Sequence, residues 1–232
     1  PFPNRKIMKI YLECVMVLTS LLVFLLAGNR PEGTLEVVHF MQGLSISFRI
    51  DGMSVVFSVL IAALWPLAML YSFEYMEHES HQRVFFMFYS VTYGVTLGIA
   101  YASDLLSMYF FYELLTLVTV PLILHNLDRK AIHATRKYLY YSLGGAAFAL
   151  IGIVFLMVYG REFDFVMGGI LDLAKVGDRK QVLLVVYLIA CLGFGVKAAM
   201  FPMGSWLPEA GVAPTPVTAL LHAVAVVKAG VF

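Results

Sequence analysis

"GFGVKAAMFPMGSWLPEAGVAPTPVTALLHAVAVVKAG", from Gly193 to Gly230, is apolar enough to lie in lipid, yet it carries Lys197, His222 and Lys228 and prolines at 202, 208, 214 and 216. A charge at the centre of a bilayer costs about 2.5–3.5 kcal/mol on insertion scales. An interior proline removes a helical N–H and clashes with the preceding turn. Lys197 follows about 15 apolar residues, so it lies roughly 20 Å from the start of its helix. Pro202, Gly204 and Pro208 come next. The pattern predicts a helix broken near 197–208, with Lys197 just before the break. Broken backbone at membrane depth is tolerated where it is buried or lines a cavity, and in transporters it marks binding sites. Carbonyls freed by the break are expected near the ammonium, as suits a cation at a helix C-terminus. The alternative is a lysine snorkelling to the interface.

The rest of the chain fits a membrane setting. Apolar residues make up 61% and charged residues 13%, where a soluble domain is nearer one half and one quarter; the mean hydropathy is +0.85. Only helices or closed barrels span lipid, and the long unbroken apolar runs lack a barrel strand's alternation. The fold class is therefore all-α, a polytopic transmembrane helix bundle forming a single transmembrane domain over 1–232. Spans are expected at about 7–27, 53–73, 84–102, 104–124, 138–159 and 182–201, each near the 20 residues a crossing needs. A seventh helix starts near Pro216 and is still apolar at Phe232, as in a piece of a longer protein. The segment 28–52 reads as a polar, glycine-containing loop, and no stretch reads as a convincing strand. The short turn near Ser103 makes spans three and four an antiparallel hairpin.

Net charge is +1, with no basic tract for nucleic acid. Cys14 and Cys191 sit in apolar segments and no CxxC or Cys/His cluster exists, so neither a metal nor an iron–sulfur site is expected. No GxGxxG follows a strand, so no cofactor is expected. Arg5 and Lys6 fall on the same side as Arg129, Lys130, Arg136 and Lys137 by span parity, which favours a cytoplasmic N-terminus. The expected location is a prokaryotic cell membrane.

Four ionisable groups lie deep in the apolar segments. Glu113 sits mid-span in "YFFYELLTLVTVPL"; its bland alternative is a packing glutamate bonded to a backbone carbonyl. Lys197 precedes the break. His222 and Lys228 share the last helix, six positions or about 600° apart, so they cannot face one way. His222 titrates near neutrality when unperturbed but could equally be a packed core histidine. Lys9 and Glu13, four apart, are expected to pair on one face near the membrane surface. Asp104 reads as a helix cap, and "EYMEHESHQR" as a solvated loop whose two histidines are a poor metal site. A buried amine changes charge readily as a carboxylate approaches or withdraws. Glu113 and Lys197 on separate helices would form such a two-state element, with His222 or water linking it to Lys228.

"FFYELLTLVTVPLIL", "GVKAAMFPMGSWLPEA" and "APTPVTALLHAVAVVKAGVF" resemble the antiporter-like membrane subunits shared by respiratory complex I, Mrp-type cation/proton antiporters and membrane-bound hydrogenases. The resemblance runs from about residue 45 to 232. It places Glu113 at the family's helix-five glutamate, Lys197 at the lysine of broken helix seven and Lys228 at the charged position of helix eight, with His222 nearby. It implies that these residues carry protons. "FRIDG" precedes the family's helix three, so the resemblance implies that the family's first helix and second, inverted half are lacking. Lys228 resembles Mrp and hydrogenase-type members more than many complex I ones.

Three functions compete. The first is a proton-translocating subunit of a redox-driven complex such as an NADH:quinone oxidoreductase, with no redox centre in this chain. The second is an Mrp-type Na+/H+ antiporter subunit. The third is a structural subunit with inert charges. Expected partners are other membrane subunits, the lipid bilayer, and protons or Na+; nucleic acid is not expected.

Overall fold

The computed structural model describes residues 5–41, 44–161, 164–166, 168–177 and 179–232. In chain order the elements are α1 (Arg5–Asn29), β1 (Thr34–Met41), β2 (Leu44–Arg49), α2 (Gly52–Tyr75), α3 (Gln82–Tyr101), α4 (Leu105–Ile123), α5 (Arg129–Tyr159), α6 (Leu173–Val176), α7 (Lys180–Lys197), α8 (Trp206–Ala210), α9 (Thr215–Ala219) and α10 (Val226–Val231). Six helices among the described residues, α1 to α5 and α7, are long and apolar enough to cross a bilayer.

Aspartates set the starts of three of the spanning helices. Asp51 opens α2 in a reciprocal capping box, accepting from the Ser54 amide at 2.8 Å while its own amide donates to Ser54 Oγ at 2.7 Å. Asp104 accepts from the Ser107 amide at 2.8 Å, and Asp128 from the Ala131 amide at 2.6 Å. Each satisfies an N–H that the helix itself cannot. Asp128 also corrects an expected boundary. α5 begins at Arg129, so Arg129, Lys130, Arg136 and Lys137 occupy its first turns instead of a loop.

The segment 28–52 is not a loop throughout. β1 and β2 pair antiparallel, with Thr34 opposite Arg49 and Val38 opposite Ile46. The signal was present, since β-branched and aromatic residues flank Gly43 on both sides; two strands of eight and six residues are too short to stand out from apolar helices. The hairpin is held by the α3–α4 corner. Ser103 N–H donates to Ser47 O at 3.1 Å, Ser47 N–H to Ser107 Oγ at 2.8 Å, and Ser47 Oγ to Asp104 Oδ2 at 2.5 Å. Asp104 is thus a cap and also a latch. Phe165 N–H donates to Ser103 O, and Arg49 to Phe165 O at 2.7 Å, which brings in the α5–α6 connection.

α3 is the most enclosed of the spanning helices and α1 the least. Lys9 on α1 does not pair with Glu13 as expected. Its ammonium donates to the carbonyl of Phe73 on α2 at 3.0 Å, and no Lys9–Glu13 ion pair is present among the described residues. α5 and α7 approach through small residues. A Cβ on Gly193 would lie 2.4 Å from Ala149 N and 2.6 Å from Gly145 O, and one on Gly152 2.5 Å from Ala190 Cβ. Close backbone approach of this kind drives helix association in lipid, where apolar burial gives no advantage.

Candidate functional site

α7 stops at Lys197 because the following backbone leaves the helix: Ala199 takes a left-handed φ of 55°. Met200 N–H reaches back to Gly195 O at 2.8 Å, and a short 3-10 turn, Met203–Ser205, leads into α8. Gly204 is required there, since a Cβ would lie 2.4 Å from Ala199 O. Carbonyls of the last turn of α7 take other donors. Phe194 O accepts from Ala198 N–H, while Val196 O accepts from Ala199 N–H and from Trp206 Nε1–H at 2.8 Å. Trp206, fully buried, ties α8 back across the break.

Lys197 is itself buried, at 1% exposure, and it crosses to α4 instead of snorkelling out. Its ammonium donates to the Tyr112 carbonyl and lies 3.4 Å from the centroid of the Tyr112 ring. A desolvated cation–π contact contributes about 2 kcal/mol. The ring is fixed edge-on by Phe194 of α7 at 5.7 Å and stacked on Tyr109 at 6.3 Å. Glu113 follows Tyr112. Its carboxyl and the Lys197 ammonium act on each other electrostatically, but no ion pair joins them among the described residues. Among the described residues Glu113 Oε1 is buried without a hydrogen-bond partner, as are Tyr112 OH, Thr116 Oγ1 and Ser142 Oγ. Beside them Thr119 Oγ1 and Tyr138 OH hydrogen-bond at 2.8 Å. Buried polar atoms that lack protein partners are ordinarily satisfied by ordered water, so this α4–α5 face suits a hydrated gap next to the amine.

The last helix is not continuous. A π turn, Leu220–Val224, separates α9 from α10, and Ala225 sits at φ −110°, ψ −79°. π turns frequently accompany functional sites. This one also changes the angular spacing between His222 and Lys228 from that of a regular α-helix. His222 lies in the π turn and is exposed. Its Nδ1 faces Thr218 O at 2.7 Å; a carbonyl only accepts, so Nδ1 carries the hydrogen and Nε2 faces outward. Lys228 is half-buried in a cleft of about 10 Å³ with Thr96, Ala100, Ile61 and Phe57. Its helix lies directly against the α7 terminus: a Cβ on Gly230 would fall 2.3 Å from Ala198 N and 2.8 Å from the Lys197 carbonyl carbon. The fold thus gathers Lys197, Glu113 and the Lys228 helix, and leaves His222 on an outer face.

Residues 102–232 match the family described as NADH:quinone oxidoreductase/Mrp antiporter, TM, and residues 41–86 match the complex I chain 5 N-terminus. The chain belongs to the NADH:quinone oxidoreductase/Mrp antiporter family. Its relatives include a Na(+)/H(+) antiporter protein of Alkalihalophilus pseudofirmus, 28% identical over 100% of this chain and 30% of that protein. Another is an NAD(P)H-quinone oxidoreductase chain 5 of Picosynechococcus, 32% identical over 82% of this chain and 29% of that protein. The chain therefore spans about three tenths of the length of these curated relatives. Among solved structures, the Mrp complex from Dietzia sp. superposes with a TM-score of 0.82 at 24% identity, covering 95% of this chain and 24% of that one. An archaeal membrane-bound sulfane sulfur reductase gives 0.78 at 23%, covering 98% and 47%. At these identities the structures establish a shared fold. The antiporter-family chain is an integral membrane protein with the expected helical class and proline-broken helix.

Several groups around the break of this family member carry no clear signal in the sequence. Glu209 of α8 bonds Lys137 of α5 at 2.5 Å and lies 3.7 Å from His133, so an ion pair anchors the broken segment to α5. Nothing in the spacing pairs residues 72 positions apart. Tyr112 is hidden as one aromatic among thirteen tyrosines. No group of three or more His, Cys, Asp or Glu suited to a metal occurs among the described residues, including the histidines of 74–83.

Proposed function

We propose that this chain forms part of a proton-translocating membrane subunit in a multisubunit redox-driven complex, with Glu113, Lys197 and Lys228 carrying the proton and His222 acting at the outer end. The observation that carries the reading is a fully buried lysine at a helix break. It is held by one carbonyl and one aromatic face, with a carboxyl of incomplete hydrogen bonding next to it. A buried amine with so few partners is sensitive to small displacements of a nearby carboxylate. Movement of α4 relative to α7 then decides whether Lys197 holds its proton. Water against Thr116, Ser142 and Tyr112 supplies the medium, and Lys228, on the helix packed against the α7 terminus, is the next amine. The chain's own residues hold and move protons; electron transfer belongs to other subunits, and the membrane is prokaryotic.

The second reading is a subunit of a Na+/H+ antiporter with no redox chemistry, favoured by the Alkalihalophilus relative that aligns with the whole chain. Reconstitution of the full-length subunit in its complex separates them. Lys197→Ala and Glu113→Gln are expected to lower proton flux by about 10²-fold, the scale of a lost proton-transfer group. Flux that follows electron transfer alone supports the redox reading, and flux that requires a Na+ gradient supports the antiporter. Wild-type flux in both variants would leave a structural subunit.

A further inference from the structure

A second run of buried polar groups lines the α1–α2–α3 interface, apart from the α4–α5–α7 gap. Glu13 lies eight residues into α1, about 12 Å along a helix of roughly 37 Å and hence inside the hydrocarbon region. Its Oε2 is buried without a hydrogen-bond partner among the described residues, and Lys9, one turn away, is committed to Phe73 O. Trp65 Nε1 on α2 is equally unpartnered. So is the Tyr89 hydroxyl on α3, which lies near Ser72 without bonding it. The Trp65 ring spans the gap between Tyr89 at 5.7 Å and Tyr93 at 5.0 Å. Tyr93 OH meets Ser20 Oγ at 2.8 Å. Ser20 is seven positions after Glu13, about 700° of rotation, so both sit on one face of α1. At the other end Thr96, one turn beyond Tyr93, lines the cleft that holds Lys228, whose volume is about that of a single water.

An orphaned buried polar atom costs about 1–3 kcal/mol. Two of them on one strip, between an equally unpartnered carboxyl and an amine, make a costly arrangement unless the strip holds water. We propose that Glu13 is a proton-loading group for Lys228, connected to it by water along this α1–α3 strip. Glu13 takes a proton near the basic end of the bundle. The neutral acid then releases that proton through the water to the neutral Lys228 amine, leaving a carboxylate and an ammonium. The inference rests on the reading of Lys228 as a proton carrier.

The test uses the full-length subunit in its complex, reconstituted in vesicles and followed by proton flux and by infrared difference spectra of driven against resting protein. Glu13→Gln is expected to lower flux at least tenfold and to remove a protonated-carboxyl band from the difference spectrum. A glutamate that only fills space would leave both unchanged. Wild-type flux and spectrum in Glu13→Gln, with Lys197→Ala inactive, would overturn the inference while leaving the proposed function intact. Loss of the band with Lys197→Ala still active would keep Glu13 as a titrating group and overturn the Lys197 reading instead. If Glu13→Gln does not assemble, Tyr89→Phe, which keeps the ring and deletes the hydroxyl, is expected to slow flux severalfold; unchanged flux in that assembled variant refutes the water line.

Discussion

Gly193→Ala tests how strictly the α5–α7 contact sets the position of Lys197. The added Cβ would lie 2.4 Å from Ala149 N and 2.6 Å from Gly145 O, both backbone atoms with no rotamer in which to retreat. Restoring ordinary contact at about 3.4 Å requires α7 to move some 1 Å away from α5, and overpacking of this kind costs about 1–3 kcal/mol. Lys197 is one turn further along α7, so its ammonium is carried off the Tyr112 carbonyl and ring. A 1 Å misplacement of a reacting group lowers rates by about 10²-fold. Gly144→Ala is the control, because a Cβ there meets nothing within 4 Å and the glycine-to-alanine change in helix propensity, about 1 kcal/mol, is the same. Thermal unfolding of the full-length protein at fixed scan rate, together with proton flux in vesicles, reads both effects. Gly193→Ala is expected to melt well below Gly144→Ala and to lose most flux. Equal melting temperatures and equal flux would refute the idea that backbone proximity places Lys197.

Two further outcomes are expected. Asp104→Ala removes the α4 cap and the carboxylate that accepts from the Ser47 and Ser107 hydroxyls at 2.5 and 2.6 Å; a loss of about 3 kcal/mol is expected, together with faster proteolysis of the Thr34–Arg49 hairpin. His125, buried and edge-on to Phe85 at 5.5 Å, is held below its ordinary value of about 6.5: burial is the main cause, Glu79 opposes it, His81 adds to it, and a hydrogen bond from the ring to the Ser80 backbone opposes it. The unfolded chain then binds the proton more readily, so this contribution to stability is complete above pH of about 6.5 and falls as pH drops toward the lowered value. His125→Phe should flatten that acid limb in melts recorded across the interval; an unchanged slope would show that other groups set it.

The sequence by itself determined the solvent, the helical class and the position of the break. These follow from local rules: runs long enough to cross lipid, aspartates that cap, and prolines and glycines that stop a helix. It also singled out Lys197 and Glu113, because a charge inside an apolar run is conspicuous in one dimension. Tertiary structure alone decided what those charges touch. The Lys197 ammonium goes to Tyr112, 85 positions away, instead of to the end of its own helix. Glu209 finds Lys137, Lys9 finds Phe73 O, and Glu13 Oε2 is left unpartnered among the described residues. The π turn that redirects His222 and Lys228 carries no proline or glycine within Leu220–Val224 to announce it. Helix periodicity tells which residues share a face, but which neighbour covers that face depends on backbone approach, here fixed by Gly145, Gly193 and Gly230. Such contacts join residues far apart in the chain, and no local pattern encodes them.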